Sequence, residues 1–394
     1  MSLFSDVAAA PADPILGLTE KFNADTDPNK VNLGVGVYQD ASGKLPLLAA
    51  VRAAEERLAS EPKPRGYLPI DGMKLYDDDV KALVFGADGP LDRIITIQAL
   101  GGTGALKIGA DFLRYVSPDA GVMLSDPSWE NHAALFGRAG FEVSKYRYYD
   151  AAARGIDFVG MLGDLRGAAS GTIVVLHACC HNPTGYDLTD AQWDEVIETV
   201  KARGLVPFLD MAYQGFSKSL EEDGAVVRKF VDAGCTFFCS TSFSKSFSLY
   251  GERVGALSIV CADADEAKRV LSQAKIVVRT NYSNPPTHGA ALVETVLKDP
   301  ELKAQWVAEL GDMRDRIKAM RSALVAGLEA AGVSGFGFIA EQVGMFSYSG
   351  LTKEQMIKLR EDHHVYGTDA GRICVAALND RNVAYVSHAI AAVL

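Results

Sequence analysis

The hydrophobic pattern from about residue 45 to residue 300 alternates between two kinds of segment. Short, nearly continuous apolar runs alternate with stretches whose apolar residues recur at helical spacing, such as Leu48, Val51 and Leu58. Such runs are typical of strands covered on both faces, and their alternation with helices predicts a parallel α/β sheet. The predicted strands are Ile94–Ile97, Val122–Leu124, Ile173–Leu176, Val206–Leu209 and Phe237–Cys239.

The pattern changes near the C-terminus. One long helix is predicted from a single apolar stripe: Met313, Ile317, Met320, Leu324 and Leu328. Gly332 is placed to end this helix, and Thr352 with Gln355 forms the capping box of another. FGFIA, GMFSYS and ICVAAL are predicted strands. The expected units are an N-terminal arm with part of the small domain (1–45), a large domain (46–311) and a small α+β domain (312–394).

Length, composition and charge bound the class of protein. A chain of 394 residues exceeds the size at which one hydrophobic core usually stops growing. No apolar run is long enough for a membrane span, and the N-terminus has no secretory signal. A net charge of −11 without a basic stripe argues against a nucleic-acid partner. Six cysteines in so long a chain form no disulfide framework, so we expect a cytoplasmic enzyme.

Polar or glycine-containing segments follow all five predicted strands. In chain order they are QALGGTGAL, SDPSWENH, HACCHNPTG, DMAYQG and STSFSKSF. Open parallel sheets bind ligands at the carboxyl ends of their strands. We therefore expect these five segments to assemble one site.

The first of these segments is rich in glycine. Gly101, Gly102 and Gly104 surround Thr103 between a strand and a helix. The backbone N–H groups of such a turn and the positive helix end suit a phosphate. Lys107 stands where a dinucleotide motif needs its third glycine, and a Walker A pair is missing. A phosphate cradle and a plain tight turn are both compatible with this stretch.

The strongest local signal is SFSKSFSLYGERVG. Lys245 follows a buried strand and precedes Arg253. Serines flank it on both sides: Ser242 and Ser244 before it, Ser246 and Ser248 after it. Desolvation or nearby cations would make this lysine the neutral amine that condenses with an aldehyde. The hydroxyls and the guanidinium are donors suited to a phosphate dianion. A solvated lysine on a surface turn is the alternative.

Four further residues have both a chemical and a plain interpretation. Asp210 could pair with a protonated ring nitrogen or cap a helix. Tyr213 and Asn182 could donate to a phenolate oxygen, although Asn-Pro-Thr-Gly is also good turn chemistry. Trp129 could stack on a flat ring or belong to the core.

A histidine–cysteine run stands beside Asn182. His177, Cys179, Cys180 and His181 are metal-ligand types, but on a strand Cys180 faces the side opposite to the others. All four side chains therefore cannot converge, and we predict no metal site.

The order of these motifs resembles the class I aspartate and aromatic-amino-acid aminotransferases, which are fold-type I enzymes that use pyridoxal 5′-phosphate. The likeness runs from NLGVGVY to the last helix and includes RGYLPIDG, DPSWENH, NYSNPP and GMFSYSGL. SLYGERVG is closer to the aromatic branch. The resemblance implies a mostly parallel seven-stranded sheet in a large cofactor-binding domain, a smaller α+β domain, and a homodimer with shared active sites.

The resemblance also implies roles around the cofactor ring. Lys245 holds the cofactor as a Schiff base and then moves a proton. Asp210 pairs with the pyridinium, Tyr213 and Asn182 bond the ring hydroxyl, and Trp129 stacks on the ring. The strand-end positions and the resemblance together predict cis peptides at Asp126-Pro127 and Asn182-Pro183.

Further roles concern the two ends of the bound molecules. The implied phosphate ligands are Gly102, Thr103, Ser242, Ser244 and Arg253, with Tyr67 of the partner subunit. The substrate α-carboxylate is bound by Arg372, and a side-chain carboxylate by Arg279 of the partner subunit. Gly36, Trp129 and Asn182 complete the implied substrate site.

Some residues depart from the family pattern and bear on substrate choice. Gly367, Thr368 and Asp369 precede Arg372, and the carboxylate of Asp369 could compete with substrate or point to solvent. Gly66, before Tyr67, is smaller than the family pattern, and Gln39 and Leu45 lie on the stretch that family members close over the substrate.

The expected reaction is ping-pong transfer of an amino group from tyrosine, phenylalanine or aspartate to 2-oxoglutarate. A strict aspartate aminotransferase is the alternative. Another reaction of the same cofactor and a non-catalytic binding protein are further alternatives, which the two arginines and Lys245 respectively disfavour.

Overall fold

The structure, a computed structural model, describes residues 2–10 and 16–394. Residue 1 and residues 11–15, part of the predicted N-terminal arm, lie outside the described residues. The strands are β1 Val31–Asn32, β2 Ile94–Leu100, β3 Val122–Asp126, β4 Val143–Arg147, β5 Tyr149–Asp150, β6 Gly155–Ile156, β7 Ile173–His177, β8 Val206–Met211, β9 Phe237–Ser242, β10 Val254–Val260, β11 Phe346–Tyr348, β12 Val365–Tyr366 and β13 Arg372–Cys374. The helices are α1 Leu16–Ala24, α2 Ala49–Ser60, α3 Lys74–Phe85, α4 Gly101–Val116, α5 Glu130–Arg138, α6 Phe158–Gly167, α7 Asp190–Arg203, α8 Leu220–Asp223, α9 Ala225–Asp232, α10 Ala264–Asn281, α11 His288–Lys298, α12 Pro300–Ala330, α13 Phe338–Glu341, α14 Lys353–His363 and α15 Val383–Val393, with 3-10 turns at Leu91–Arg93 and Val375–Ala377.

A seven-stranded sheet forms the centre of the molecule, in the order β2-β10-β9-β8-β7-β3-β4. Its strands are parallel except β10, which runs antiparallel to both β2 and β9. The predicted mostly parallel seven-stranded sheet is therefore confirmed, although β4 and β10 were not among the predicted strands. β4 is an edge strand with a largely polar sequence. β10 follows β9 without a helix between them, so the strand–helix alternation passes over it.

Both faces of this sheet are buried. Neighbouring residues of β8 face opposite sides, so that Phe208 belongs to the apolar core on one face and Leu209 to the core on the other. The same alternation separates Phe238 from Cys239 on β9. Burial on both faces explains why these strands are apolar at nearly every position.

The C-terminal part packs small pairs of strands against long helices. β11 pairs antiparallel with β13, and β1 pairs with β12, which brings the N-terminal segment onto the C-terminal unit. The predicted capping box at Thr352 is present, and Gly332 follows α12 with φ +81°. The boundary predicted after residue 311 falls inside α12, and the domain limits stay a prediction.

Two of the predicted C-terminal strands are corrected. FGFIA runs into the four-residue helix α13, which begins at Phe338, and its Phe336 and Phe338 rings lie against Arg154. ICVAAL begins in the short strand β13 and continues as a 3-10 turn. Short apolar runs do not distinguish a strand from other buried segments, so the pattern alone could not separate these cases.

No helix in the described part of the chain is both long enough and apolar enough to cross a bilayer.

Candidate active site

One cavity of about 340 Å³ lies at the carboxyl ends of the central strands. It is lined by residues from the segments after β2, β7, β8 and β9, by Trp129 after β3, and by 35–37 from the N-terminal segment. The expectation that the five strand ends assemble one site is confirmed by this lining. Both predicted cis peptides, Asp126-Pro127 and Asn182-Pro183, are present beside it.

Lys245 projects into this cavity from the turn after β9. Its Nζ lies 5.0 Å from the centroid of the Tyr213 ring. Burial lowers the pKa of Lys245 to about 8; Asp210 opposes this shift, and the positive charges of Arg253 and Arg372 add to it. The alternative of a solvated surface lysine is wrong, because this amine is half-buried and lines the cavity.

Asp210 ends β8 on the floor of the cavity and is only 7% exposed. Its Oδ1 accepts a hydrogen bond from Ser240 Oγ at 2.7 Å, and its Oδ2 lies 3.0 Å from His132 Nε2. Burial alone would raise the pKa of Asp210. The hydrogen bonds and the nearby histidines outweigh burial and lower that pKa, so the carboxylate stays charged. The helix-cap alternative fails, because Asp210 is within a strand.

Sequence reasoning missed the histidine behind Asp210. Ser128 Oγ bridges His132 Nδ1 at 3.0 Å and His177 Nε2 at 3.1 Å. Ser128 and His132 therefore connect His177 with Asp210 by hydrogen bonds, and both of these end residues line the cavity. The sequence feature that could have indicated this role is the position of His132, three residues after Trp129 and on the first turn of α5.

The aromatic and amide groups predicted for the ring face the same space. Asn182 is 4% exposed, and its Oδ1 accepts from Arg372 Nη1 at 3.1 Å. Burial raises the pKa of Tyr213 far above its usual range, so its hydroxyl stays protonated. Tyr250 also lines the cavity and was not predicted; its hydroxyl accepts from the Tyr38 backbone N–H at 3.0 Å.

The glycine-rich stretch begins α4, whose first residue is Gly101. Leu100, at the N-cap, makes no side-chain capping bond, so the first N–H groups of this helix stay available. Gly101 has φ +69°, and a Cβ there would come within 2.5 Å of the Arg253 guanidinium. Arg253 Nη1 also donates to Ser244 Oγ at 3.1 Å. The turn, the guanidinium and the serine hydroxyls together form an anion cradle.

Arg372, on β13, lies behind the cavity wall and is bonded to Asn182, which lines the cavity. It is 1% exposed, and its Nη2 donates to the Gly34 carbonyl at 2.8 Å. Its Nε is buried without an acceptor in the described part of the chain. A buried, unsatisfied guanidinium N–H is costly, so this group is suited to an acidic ligand.

The residues preceding Arg372 do not obstruct it. Asp369 pairs with Arg360 at 2.9 Å and its side chain is 47% exposed, so it does not compete for Arg372. Thr368 Oγ1 accepts from the Arg372 backbone N–H at 3.2 Å. A Cβ at Gly367 would come within 2.4 Å of Met356 Cε and 3.1 Å of the Arg372 carbonyl, so the backbone packs closely here.

Three predicted site residues do not line the cavity of this chain: Arg372, which lies behind its wall beside Asn182, and Tyr67 and Arg279. Tyr67 is 95% exposed, and Arg279 is exposed near the end of α10, where it donates to Ser283 Oγ. Gly36, in contrast, lines the cavity. The remaining predicted residues that line it are Gly102, Thr103, Trp129, Asn182, Asp210, Tyr213, Ser242, Ser244, Lys245 and Arg253.

The cysteines near Asn182 form the one candidate metal-ligand group found in the described residues, with Asp223 rather than with the histidines. A hydrogen bond with Cys180 lowers the pKa of Cys179, but burial raises it to about 11. Burial also raises the pKa of the Cys180 thiol. Both thiols are protonated at neutral pH, and we assign no metal to them.

Comparison with known proteins identifies this architecture. The family model for aminotransferase class I and II matches residues 28–390. The chain is 58% identical to an aspartate aminotransferase of Pseudomonas aeruginosa and 51% identical to an aromatic-amino-acid aminotransferase of Escherichia coli, each over the full length of both chains. A crystal structure of an aromatic-amino-acid aminotransferase from Burkholderia pseudomallei, covalently bound to pyridoxal phosphate, superimposes with a TM-score of 0.98 at 64% identity over both whole chains.

These matches define a fold-type I transaminase architecture. The chain belongs to the aminotransferase class I and II family. The resemblance, the fold class and the enzyme class expected from the sequence are confirmed. Relatives with both substrate names match the whole chain, so their names alone do not separate the aspartate from the aromatic branch.

Proposed function

We propose that this protein is a pyridoxal-phosphate-dependent aminotransferase. It transfers an amino group, by a ping-pong mechanism, from tyrosine, phenylalanine or aspartate to 2-oxoglutarate. The observation that carries the proposal is the convergence of a half-buried amine, a charged carboxylate and an anion cradle in one cavity, with the buried Arg372 bonded to Asn182 in the cavity wall. The relative with covalently bound pyridoxal phosphate supports the choice of cofactor.

The residues present fit this cofactor. Lys245 would hold it covalently, and Asp210 would lie against the ring nitrogen. The Asn182 amide N–H group and the Tyr213 hydroxyl are donors for the ring oxygen, because Asn182 Oδ1 is already engaged by Arg372. Trp129 would cover one face of the ring. The phosphate would be held by Gly102, Thr103, Ser242, Ser244, Arg253 and Tyr67 of the partner subunit.

Bound pyridoxal phosphate supplies an aldehyde for amine condensation and a ring that delocalises the electrons of the substrate Cα–H bond. The protein supplies the proton chemistry. With a pKa of about 8, Lys245 Nζ exchanges a proton near neutral pH, as a general base must. Asp210, kept charged by His132 and Ser240, stabilises a proton on the ring nitrogen.

Arg372 orients the substrate. Its free Nε and its contact with Asn182 suit it to the α-carboxylate that every amino donor carries. Fixing this end holds the Cα–H bond beside Lys245, which converts a bimolecular proton transfer into an intramolecular one.

The distal end of the substrate requires a second chain. We propose a homodimer in which Tyr67 and Arg279 of the partner subunit complete each site. The exposure of both residues in the single chain supports this arrangement, because neither reaches its own cavity. We also propose the division at 1–45, 46–311 and 312–394, and a cytoplasmic location.

Reduction with borohydride tests the proposal. The wild-type protein should absorb visible light, and reduction should fix the cofactor on Lys245. Lys245→Ala should keep the cofactor through the phosphate cradle but lose turnover, whereas the exposed Lys218→Ala should behave as wild type. A label on another lysine would refute the assignment.

Kinetics with tyrosine, phenylalanine and aspartate against 2-oxoglutarate test the substrate range. Activity with aspartate alone would identify a strict aspartate aminotransferase. A visible absorbance without amino transfer would instead favour another reaction of the cofactor or a binding role.

A further inference from the structure

A buried ring lies directly behind the wall of the cavity. The guanidinium carbon of Arg372 lies 4.3 Å from the centroid of Phe346, and the Tyr213 ring meets Phe346 edge to face at 5.9 Å. A Cβ at Gly36 would come within 2.5 Å of Phe346 Cζ. Phe346 is 4% exposed and does not line the cavity itself. One hidden ring therefore contacts three residues of the site.

The backbone carbonyls at and near Phe346 accept hydrogen bonds from a buried arginine, Arg321. Arg321, on α12, is 1% exposed, and its guanidinium donates to backbone carbonyls instead of carboxylates. Its Nη2 donates to Gly344 O at 2.8 Å and to Phe346 O at 2.5 Å, and its Nη1 to Ile339 O at 3.2 Å. A planar fork that binds several carbonyls fixes a loop more strictly than a point charge can.

The same loop is attached to the turn that carries Asn182. Val343 N donates to Gly185 O at 2.7 Å. Gly185 has φ +72°, and a Cβ there would lie 2.9 Å from Phe346 O. The loop therefore connects the chain around Phe346 with the Asn-Pro-Thr-Gly turn, whose Asn182 accepts from Arg372.

We propose that Phe346 is a positioning residue that aims the Arg372 guanidinium at the substrate carboxylate, and that Arg321 fixes Phe346 in place. Arginine has many rotamers, and ordering it on binding would cost affinity. The ring face, Gly34 O and Asn182 Oδ1 together restrict the guanidinium before substrate arrives, while Nε stays free. The inference rests on the proposed function, because it assigns a carboxylate to Arg372.

Carboxylate binding by the holoenzyme tests the proposal, with maleate, a dicarboxylate that carries no amino group, titrated calorimetrically. Phe346→Leu should weaken maleate about tenfold, the size of a desolvated cation–π contact. KM for aspartate should rise by a similar factor, with kcat within about twofold of wild type. The visible spectrum should not change, because the cofactor ligands are untouched.

Phe336→Leu is the matched control. Phe336 is also a buried ring near an arginine, Arg154, but lies away from Arg372. The Phe336→Leu variant should lower the melting temperature, as Phe346→Leu does, but should leave the affinity for maleate unchanged. Equal maleate affinity in both variants would overturn the proposal, because it would make Phe346 a core residue only.

Two more variants separate the possible failures. If Phe346→Leu does not fold, Phe346→Met fills more of the volume without a ring and should show the same loss of maleate affinity. Arg321→Lys should shift maleate binding in the same direction with Arg372 unchanged, and no shift would overturn the role of Arg321. Wild-type protein that binds cofactor but not maleate would contradict the proposed function as well as this inference.

Discussion

Arg372 and Arg279 are both predicted carboxylate anchors, yet their surroundings are opposite. Arg372 is buried, bonded to Gly34 and Asn182, and packed on the Phe346 ring. Arg279 is exposed on α10 and bonded only to Ser283 among the hydrogen bonds described. One anchor is fixed behind the cavity wall beside Asn182, and the other is exposed and away from the cavity of its own chain.

This difference corresponds to the two ends of the substrate: the α-carboxylate, which all amino donors share, and the distal group, which varies. Every amino donor has an α-carboxylate, so a rigid, preorganised group serves all of them. Distal groups differ between aspartate and phenylalanine, and in the proposed homodimer the exposed Arg279 of the partner subunit would serve that end. The preorganised anchor should therefore affect all substrates equally, and the exposed one should discriminate between them.

The largest effect is expected from Arg372→Ala. Loss of the guanidinium leaves the substrate carboxylate unpaired in a buried site and should reduce kcat/KM by the equivalent of about 5 kcal/mol. Aspartate and phenylalanine should lose equal amounts. Arg360→Ala, which removes the partner of Asp369 instead, serves as the control and should change both little. A loss confined to aspartate would contradict the assigned role of Arg372.

A smaller and selective effect is expected from Arg279→Ala. Aspartate should lose about 3 kcal/mol in kcat/KM because its distal carboxylate is left unpaired, and phenylalanine less than about 1 kcal/mol. Ser283→Ala removes only the hydrogen-bond partner of Arg279 and should leave both substrates nearly unchanged. Equal losses for the two substrates would show that Arg279 does not discriminate.

The smallest effect is expected at Asp369. Because this carboxylate pairs with Arg360 at the surface, Asp369→Asn should change kcat/KM for either substrate by less than about 0.5 kcal/mol. A clear gain in kcat/KM would mean that Asp369 competes for Arg372 after all.

Much of the fold and the cavity could be predicted from local sequence. Asp210, Asn182 and Lys245 each lie at or after the carboxyl end of a buried strand, and parallel strands bring these ends together whatever the details of packing. Two strands were not predicted. β10 follows β9 without a helix between them, and β4 is an edge strand with a polar sequence. FGFIA was misassigned because a short apolar run carries no period.

The remaining site residues depend on contacts between distant segments. His132 is hydrogen-bonded to Asp210, which is far from it in sequence. Phe346 packs on Arg372, and Arg321 binds the Phe346 carbonyl, although these residues come from separate segments of the chain. No local spacing indicates that an arginine on a helix will bind carbonyls of a later loop. Tyr67 and Arg279 were predicted from the family resemblance alone, because their role requires a second chain.

The central claim, that the second anchor comes from the partner subunit, is tested most directly by mixing inactive subunits. Denatured Lys245→Ala and Arg279→Ala chains are refolded together in equal amounts and assayed with aspartate. In a statistical mixture half of the dimers are hybrids, and each hybrid has one site with both wild-type residues. Activity should therefore return to roughly a quarter of the wild-type level. Lys245→Ala mixed with Arg372→Ala should stay inactive, because those residues belong to one chain. Complementation in the second mixture, or none in the first, would contradict the account.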